Sequence, residues 1–225
     1  MEKFIELLFE EGLSFFGQIN ASISHELKNI LATVSETSGL ISDLIEVSEN
    51  GKPLDVQAIK NSSREITDEI QRGFVTIKQM NIFAHSVDNS FGEITLTDTL
   101  DLVINLSQFL SYASQVEFFK QESAQVKVFT CPFLLQDLLY QALTFAYKIV
   151  GHKGVVRISL VKEEKETTIV FGNVPLEEEK PFPELRARME KIAEVLEISL
   201  GSLPNRTGFF IKIPLTIKTM YKRGA

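Results

Sequence analysis

The first part of the chain has the spacing of apolar residues that is typical of a helix. From Leu13 to Val47 there is no proline, and apolar residues recur at alternating steps of three and four. Seven of the nine positions in this series are apolar. A seam of this kind packs against another helix. The series consists of Phe16, Asn20, Ile23, Leu27, Ile30, Val34, Thr37, Ile41 and Leu44.

A second helix of the same type follows a turn. Residues 49–53 supply a helix stop, a turn and a proline suited to the start of a helix. The three-four rhythm then returns from Leu54 to His85, which predicts an antiparallel helical hairpin. Because two helices cannot enclose both their apolar stripes, we expect a homodimer in which two hairpins form a four-helix bundle. The second seam consists of Ile59, Ser63, Ile66, Ile70, Gly73, Ile77, Met80 and Ala84.

The pattern changes after the turn-rich residues 88–92. No regular alternation of strand and helix follows, so we predict an α+β sandwich with helices on one face of a mixed sheet. The predicted domains are a helical hairpin at 1–88 and this α/β sandwich at 89–225. The predicted helices are Thr97–Ala113, Phe133–Val150 and Pro183–Leu196, and the predicted strands are Gln115–Lys120, Gln125–Thr130, Gly154–Lys162, Thr167–Asn173, Ile198–Leu200 and Gly208–Leu215.

Composition and charge exclude several classes of protein. With 44% hydrophobic and 24% charged residues, the 225-residue chain has the values of a globular protein. A net charge of −7 repels phosphate backbones, so no nucleic-acid partner is expected. A single cysteine, Cys131, cannot form an internal disulfide. Residues 1–16 lack the pattern of a signal peptide, and polar residues interrupt the apolar stretch 132–150, so we expect a cytoplasmic protein without a membrane segment.

The sharpest local feature is His25 within the first helix. His25 lies two residues from both Ile23 and Leu27, and two steps along a helix turn by about 200°, so the imidazole points away from the seam into water. An exposed imidazole is largely neutral near pH 7 and is a nucleophile toward an activated phosphoryl group. Glu26 is a candidate to accept or steer its proton. Lys28, three residues from His25 on the same face, is a candidate to offset phosphoryl charge.

The run Ser24-His25-Glu26-Leu27-Lys28-Asn29 resembles the H box of two-component sensor histidine kinases. In that family the phospho-accepting histidine lies on the outer face of a dimeric four-helix bundle, and an ATP-binding α+β domain follows. The resemblance covers residues 15–215. It implies that Glu26 assists phosphoryl transfer, that Asn29 orients water during dephosphorylation of a partner, and that response-regulator receiver domains are partners. Candidate receiver contacts are Ala21, Ser22, Ala32 and the early part of the second helix.

The motifs of the nucleotide site are missing from the second domain. Gln141 and Phe145 stand where the resemblance implies asparagines, and phenylalanine offers a cation no oxygen ligand. Gly172 stands where an aspartate would read adenine. No glycine occurs from residue 173 to 200 to form a phosphate-binding loop, and the acidic run at 177–179 repels a triphosphate. We therefore expect a degenerate histidine-kinase ATPase-like domain, with no cofactor bound by this chain.

The favoured hypothesis is a histidine phosphotransferase of a phosphorelay. An aspartyl phosphate on one receiver domain donates its phosphoryl group to His25, which then donates it to an aspartate of a second receiver, with Mg²⁺ supplied by the receiver. One alternative is a divergent sensor histidine kinase that phosphorylates itself from ATP. Another is a non-catalytic pseudokinase scaffold that only dimerises or sequesters a partner. The source of phosphate on His25 distinguishes the three.

Overall fold

The computed structural model describes residues 2–108, 114–119, 125–151, 153–176 and 182–217, with side chains from residue 4 onward. The chain divides into two compact units. The first unit is Gln18–Ala84, and the second combines Met1–Gly17 with His85–Ala225. The sequence-based boundary after residue 88 lies close to the end of the first unit. The first 17 residues, however, group with the second unit and not with the hairpin.

The first unit consists of two long helices. Helix α2 spans Leu13–Glu49 and helix α3 spans Val56–Ala84. Thr37 donates a hydrogen bond to Glu65, whereas Arg72 donates to Glu26. Because residues early in α2 meet residues late in α3, the helices run antiparallel. The predicted helical hairpin is therefore confirmed.

The seam between α2 and α3 agrees with the predicted one at Ile23, Ile30, Thr37 and Gly73 and is shifted by one residue at its other buried positions. The prediction placed Leu27, Ile70 and Ile77 in the seam, but Leu27 is half-buried and the two isoleucines are exposed. The shift places Glu26 in the seam, where Arg72 of α3 donates hydrogen bonds to it. The buried seam residues are Ile19, Ile23, Glu26, Ile30 and Thr37 on α2, and Ser62, Gly73, Thr76 and Phe83 on α3.

A second apolar stripe on the hairpin lies beside the seam. Leu31 is 68% exposed and Phe74 is 63% exposed, and each directly follows a buried seam residue. One step along a helix turns by about 100°. In an antiparallel pair, the residues that directly follow seam residues on α2 and those that directly follow seam residues on α3 therefore lie on the same side of the hairpin. Contiguous exposed apolar side chains mark an interaction surface. We call this surface the apolar face; its residues are Leu27, Leu31, Val34, Ile70, Phe74 and Ile77.

The N-terminal residues pack into the second unit. Helix α1, Glu2–Leu7, is followed by a π-helical turn, Leu8–Gly12. The ring centroid of Phe15 lies 5.5 Å from that of Phe133 and 5.4 Å from that of Tyr140. A Cβ at Gly12 would lie 2.8 Å from the Phe133 ring, so this close approach requires glycine. Burial of these aromatic side chains is the physical reason why the first 17 residues group with the second unit.

The second unit has a mixed five-stranded sheet. Its strands are β2 (Gln115–Phe119), β4 (Val155–Lys162), β5 (Glu166–Gly172), β7 (Gly208–Pro214) and β6 (Ser199–Ser202), in the spatial order β2-β4-β5-β7-β6. Strands β2 and β4 are parallel, and the other pairs are antiparallel. The predicted α+β fold with a mixed sheet is confirmed.

A short two-stranded sheet combines a strand that the sequence analysis missed with one that lies within the predicted strand Gln125–Thr130. Strand β1, Gly92–Thr95, pairs with β3, Lys127–Thr130, in antiparallel orientation. Four residues are too few for an alternating pattern to stand out. Helix α4, Leu96–Leu106, follows β1 directly; the predicted continuation through residues 109–113 lies outside the described residues, as does Lys120 at the end of a predicted strand.

The sheet buries one face against helices. Along β4 the side chains of Val156, Ile158 and Leu160 are buried, whereas Arg157 between them is exposed. This alternation is typical of a sheet with one covered face. Helix α5, Pro132–Val150, is buried on nearly all sides and ends at Gly151, whose φ of +69° favours glycine. Helix α6, Pro183–Val195, completes the unit. Among the described helices, none is both long and apolar enough to cross a bilayer.

Two glycines that pair across the sheet give a matched test of this packing. Gly172 of β5 lies opposite Gly208 of β7. A Cβ at Gly208 would lie 2.0 Å from the Phe171 carbonyl oxygen, whereas at Gly172 the nearest atom is 3.7 Å away. We expect Gly208→Ala to lower the free energy of unfolding by more than about 2 kcal/mol and Gly172→Ala to change it by less than about 1 kcal/mol. Urea titration followed by circular dichroism measures the free energy of unfolding of both variants. Equal losses in the two variants would contradict this pairing of β5 with β7.

Candidate functional site

His25 lies on α2 with its ring exposed to solvent, as predicted. Its Nδ1 is 3.2 Å from Nδ2 of Asn29, one helical turn further along. The two ends of an amide side chain are nearly isosteric, and the direction of this hydrogen bond depends on the tautomer of the imidazole. As placed, the amide nitrogen of Asn29 donates to Nδ1, which leaves the ring proton on Nε2; with the amide turned over, its oxygen accepts the Nδ1 proton instead. Nε2, at the outer tip of the ring, then keeps its lone pair.

Glu26 occupies a different environment from the one that the sequence suggested. Its side chain is buried in the seam, where Oε1 accepts hydrogen bonds from Nε of Arg72 at 2.8 Å and from Nη2 of the same guanidinium. Nη1 of Arg72 also donates to both carboxylate oxygens of Glu69, at 2.8 and 2.9 Å. The described hydrogen bonds of Glu26 therefore go to α3, and the structure does not bring this carboxylate to the His25 ring.

The guanidinium of Arg72 is held by two carboxylates. Its hydrogen bond to Glu26 is the main reason why the pKa of Arg72 is raised; partial burial acts in the opposite direction, and the charges of Glu26 and Glu69 add to the rise. The Arg72 side chain is 49% exposed, so the ion pair of Arg72 with Glu26 extends from the buried seam to the solvent-exposed surface. Arg72 was missed by the sequence analysis, because the spacing of apolar residues does not determine which residues of α2 and α3 lie opposite each other.

His25 and Arg72 share one side of the hairpin. Each residue directly precedes a buried seam residue, Glu26 or Gly73, so each is turned by about 100° from the seam in the opposite sense to the apolar face. Val75 of α3, which is 55% exposed, directly precedes the buried Thr76 and therefore lies on the same side. We call this side the histidine face; its residues are Ser22, His25, Asn29, Arg72 and Val75.

The remaining predicted residues of the first unit lie at the surface of α2. Lys28 is exposed, and so are the candidate receiver contacts Ala21 and Ala32, while Ser22 is half-buried. His25 and Asn29 are thus the predicted site residues that the structure brings into contact. The roles predicted for these residues and for Lys28 remain predictions.

In the second unit, aromatic packing surrounds the position at which the resemblance implies a magnesium ligand. The ring of Phe145 is buried and stands edge-on to Phe209, with centroids 5.5 Å apart, and to Phe182 at 6.3 Å. Phe209 in turn stacks on Phe171 at 4.6 Å. Four phenylalanines therefore form one cluster. Apolar rings cannot supply the oxygen ligands that Mg²⁺ requires.

The other positions of the nucleotide motifs fit a nucleotide no better. Gln141 is buried, and its Nε2 donates to Oδ1 of Asp137 at 2.9 Å, so its amide is engaged within the core. Gly172 has no side chain to read adenine and pairs with Gly208 in the sheet. The acidic run 177–179 lies outside the described residues. The described residues of this unit do not fit a nucleotide with magnesium.

A cavity of about 320 Å³ lies between α6 and strands β6 and β7. Its walls combine apolar side chains, among them Phe145, Met189 and Phe209, with charged side chains of α6. Among the described lining residues, Arg186 is the one cation, beside Glu190 and Glu194. These lining side chains do not form the cluster of converging donors that a triphosphate requires.

Comparisons with known proteins give a likeness of fold. No family model and no curated protein matches the chain. Among solved structures, the nucleotide-free catalytic domain of histidine kinase ThkA is 16% identical, covering 58% of this chain and 100% of its own, with a TM-score of 0.45. The Acinetobacter baumannii histidine kinase AdeS is 11% identical, covering 80% of this chain and 95% of its own, with a TM-score of 0.45. A bacterial phosphotransferase is 12% identical, covering 89% of this chain and 95% of its own, with a TM-score of 0.46.

These solved structures are histidine kinases and a phosphotransferase. At such identities and TM-scores, the chemistry of the site has to be argued from the residues of this chain.

The buried carboxyl group beside Gln141 gives a pH-dependent prediction. Burial is the main reason why the pKa of Asp137 rises from 3.8 to about 7, and Oδ2 has no hydrogen-bond partner among the described residues. Between these values the folded state binds more protons than the unfolded state, so stability falls as pH rises, by up to about 1.4 kcal/mol per pH unit. We expect Asp137→Asn to remove this slope and to be more stable than the wild type above pH 7.

Denaturant unfolding at pH 4.5, 6 and 7.5 measures the effect. Asp98→Asn, which removes an exposed carboxylate from α4, controls for the loss of one charge. If Asp137→Asn were less stable than the wild type at pH 7.5, the buried carboxylate would instead be a stabilising group.

Proposed function

We propose that the protein is a histidine phosphotransferase that passes phosphoryl groups between response-regulator aspartates and His25 without using ATP. The observation that carries this proposal is the exposed side chain of His25, whose Nδ1 lies 3.2 Å from the amide of Asn29. When the amide oxygen faces Nδ1 and accepts its proton, Nε2 keeps its lone pair and is available as a nucleophile. Positioning of this kind is the main requirement for phosphoryl transfer from an activated donor.

The transfer step conserves atoms and charge. Nε2 of His25 forms a bond to the phosphorus of an aspartyl phosphate while the bond from phosphorus to the aspartate oxygen breaks. The aspartate leaves as a carboxylate, and the ring carries a positive charge that Asn29 stabilises by accepting from Nδ1–H. In the reverse step, the aspartate of a second receiver attacks phosphohistidine and the imidazole leaves. Mg²⁺ on the receiver domain offsets phosphoryl charge in both steps.

The second unit supports an ATP-independent source of phosphate. Phe145 lies in a cluster of aromatic rings, Gln141 is engaged by Asp137, and Gly172 has no side chain. Autophosphorylation from ATP requires a site that holds magnesium and the triphosphate. We therefore propose that the second unit has a structural role and that phosphoryl transfer takes place on the hairpin.

The two faces of the hairpin suit two partners. A second copy of the chain is proposed to cover the apolar face and so to complete a four-helix bundle. The histidine face on the opposite side would remain open for a receiver domain. Since both copies present a histidine face, each dimer offers two equivalent transfer sites.

Phosphate flow tests the proposed function. We expect ³²P from a phosphorylated receiver to appear on the wild-type chain within minutes and to be absent from His25→Gln, because that variant has no nucleophile at this position. His85→Gln is the matched control, since His85 is also exposed but pairs with Asp88 outside the hairpin. It should label like the wild type. Acid-labile, alkali-stable label read on a gel is the measurement.

The same assay separates the competing hypotheses. Label from [γ-³²P]ATP on His25 would contradict the proposal in favour of a kinase. Absence of label from both ATP and every phosphorylated receiver of the host would favour a scaffold.

The two faces predict opposite effects from neighbouring substitutions. Phe74→Glu puts a charge in the apolar face and should raise the dimer dissociation constant by at least about tenfold, because a carboxylate must be buried or the interface opened. Val75→Glu, one position along, should leave the dimer intact and slow transfer from the receiver. Light scattering after size-exclusion chromatography gives the mass of each variant. A monomeric Val75→Glu together with a dimeric Phe74→Glu would reverse the assignment of the faces.

A further inference from the structure

We propose that Arg72 is a positioning residue for phosphoryl transfer to His25: by holding the Glu26 carboxylate against α3, it keeps a negative charge out of the path of the incoming phosphoryl anion. This inference rests on the proposed function, because it concerns the charge of the group that His25 receives.

The contacts give Arg72 this role. Nε and Nη2 of Arg72 donate to the same oxygen of Glu26, and Nη1 donates to both oxygens of Glu69. One planar guanidinium thus engages two carboxylates, one from each helix. Glu26 is the immediate neighbour of His25 in the chain, and its side chain is only 10% exposed. A buried carboxylate without a cationic partner is unstable.

Removal of Arg72 would therefore release Glu26 toward water. A side chain as long as glutamate can reach the surface of the helix one residue from His25, where the phosphoryl group arrives. A carboxylate about 8 Å from a doubly charged phosphoryl group in a water-like dielectric slows its approach by about fivefold at low salt. The repulsion weakens as salt is added.

A released carboxylate would have a second effect of opposite sign. Attack by Nε2 leaves positive charge on the imidazole, and a nearby carboxylate stabilises that charge. This effect accelerates the reaction with every electrophile, whether it is charged or neutral. The repulsion acts only on anionic reagents. The ratio of the rates with an anionic and a neutral reagent therefore isolates the role assigned to Arg72.

The experiment uses the whole purified chain and two small reagents. Phosphoramidate is an anionic phosphodonor, and diethyl pyrocarbonate is a neutral electrophile that also attacks imidazole nitrogen. Modification of His25 and of His85 is quantified by peptide mass spectrometry in the same sample at low salt. His85 serves as the internal reference because it is exposed and lies in the other unit. The measured quantity is the phosphoramidate-to-pyrocarbonate rate ratio at His25, divided by the same ratio at His85.

We expect Arg72→Met to lower this quotient about fivefold and Arg72→Lys to keep it within about twofold of the wild type. The double variant Arg72→Met/Glu26→Gln should recover the wild-type value, because the released carboxylate is gone. Addition of 0.5 M NaCl should remove most of the Arg72→Met defect. An unchanged quotient in Arg72→Met, or an equal loss in the double variant, would overturn the proposal.

A purely structural role for Arg72 predicts a different result. Loss of the hairpin would change reactivity toward both reagents together and would be seen as lost helical circular dichroism. In that event Glu26→Gln alone decides, since the proposal has Arg72 already holding this carboxylate away from the path, so the quotient should stay within about twofold of the wild type. A rise of about fivefold in Glu26→Gln would show that the carboxylate already repels phosphoramidate in the wild type and would overturn the proposal. Because neither reagent requires a receiver domain, failure of the phosphate-flow test and failure of this test are distinguishable.

Discussion

The ion pair between Glu26 and Arg72 links the two long helices at the level of the exposed histidine. Consecutive residues of a helix diverge by about 100°, so a carboxylate that enters the seam at position 26 requires the preceding side chain to lie outside it. The pair is a polar contact within a seam that also buries Ile23 and Ile30. Gly73 and Thr76 continue the contact on α3 with small side chains. The inward position of Glu26 agrees with the exposure of His25 on one side of the seam and of the apolar face on the other.

The two sides of the hairpin differ because each is one step from the seam in opposite directions. Residues that follow a seam position, such as Leu31 and Phe74, form an apolar surface that water disfavours. Residues that precede one, such as His25 and Arg72, form a surface of polar groups with isolated apolar neighbours. A rod with one apolar and one polar side can associate with its own copy and still present its nucleophile. The proposed association and the proposed chemistry would therefore use opposite sides of the hairpin.

The core of the second unit packs aromatic rings around position 145, for which the sequence resemblance implies a magnesium ligand. Phenylalanines 145, 171, 182 and 209 form one cluster there. Aromatic packing stabilises a core directly, whereas polar ligands without a nucleotide would be buried at a cost. Helix α5 nevertheless buries the polar side chains of Gln136, Asp137 and Gln141, and burial raises the pKa of Asp137.

Much of the architecture was accessible from periodicity alone. The hairpin, its turn, the β4–β5 hairpin and the helix after Pro132 were predicted because apolar spacing, proline and glycine act locally. Strand β1 was missed because four residues carry too little periodicity, and its pairing with β3 depends on distant residues. The N-terminal 17 residues were assigned to the hairpin because helix α2 is continuous in sequence, although the burial of Phe15 against Phe133 decides their packing.

The sequence by itself determined that His25 is on a helix surface and that the ATP motifs are absent, because both depend on residue identity and local spacing. Only the tertiary structure decided that Glu26 turns inward to Arg72 and that Phe145 joins a cluster of rings. These outcomes depend on which residue of a distant element comes within contact distance. A shift of one residue in the register of α3, which the spacing of apolar residues does not resolve, replaces Arg72 by another side chain. The chemistry beside the histidine is therefore a consequence of helix packing.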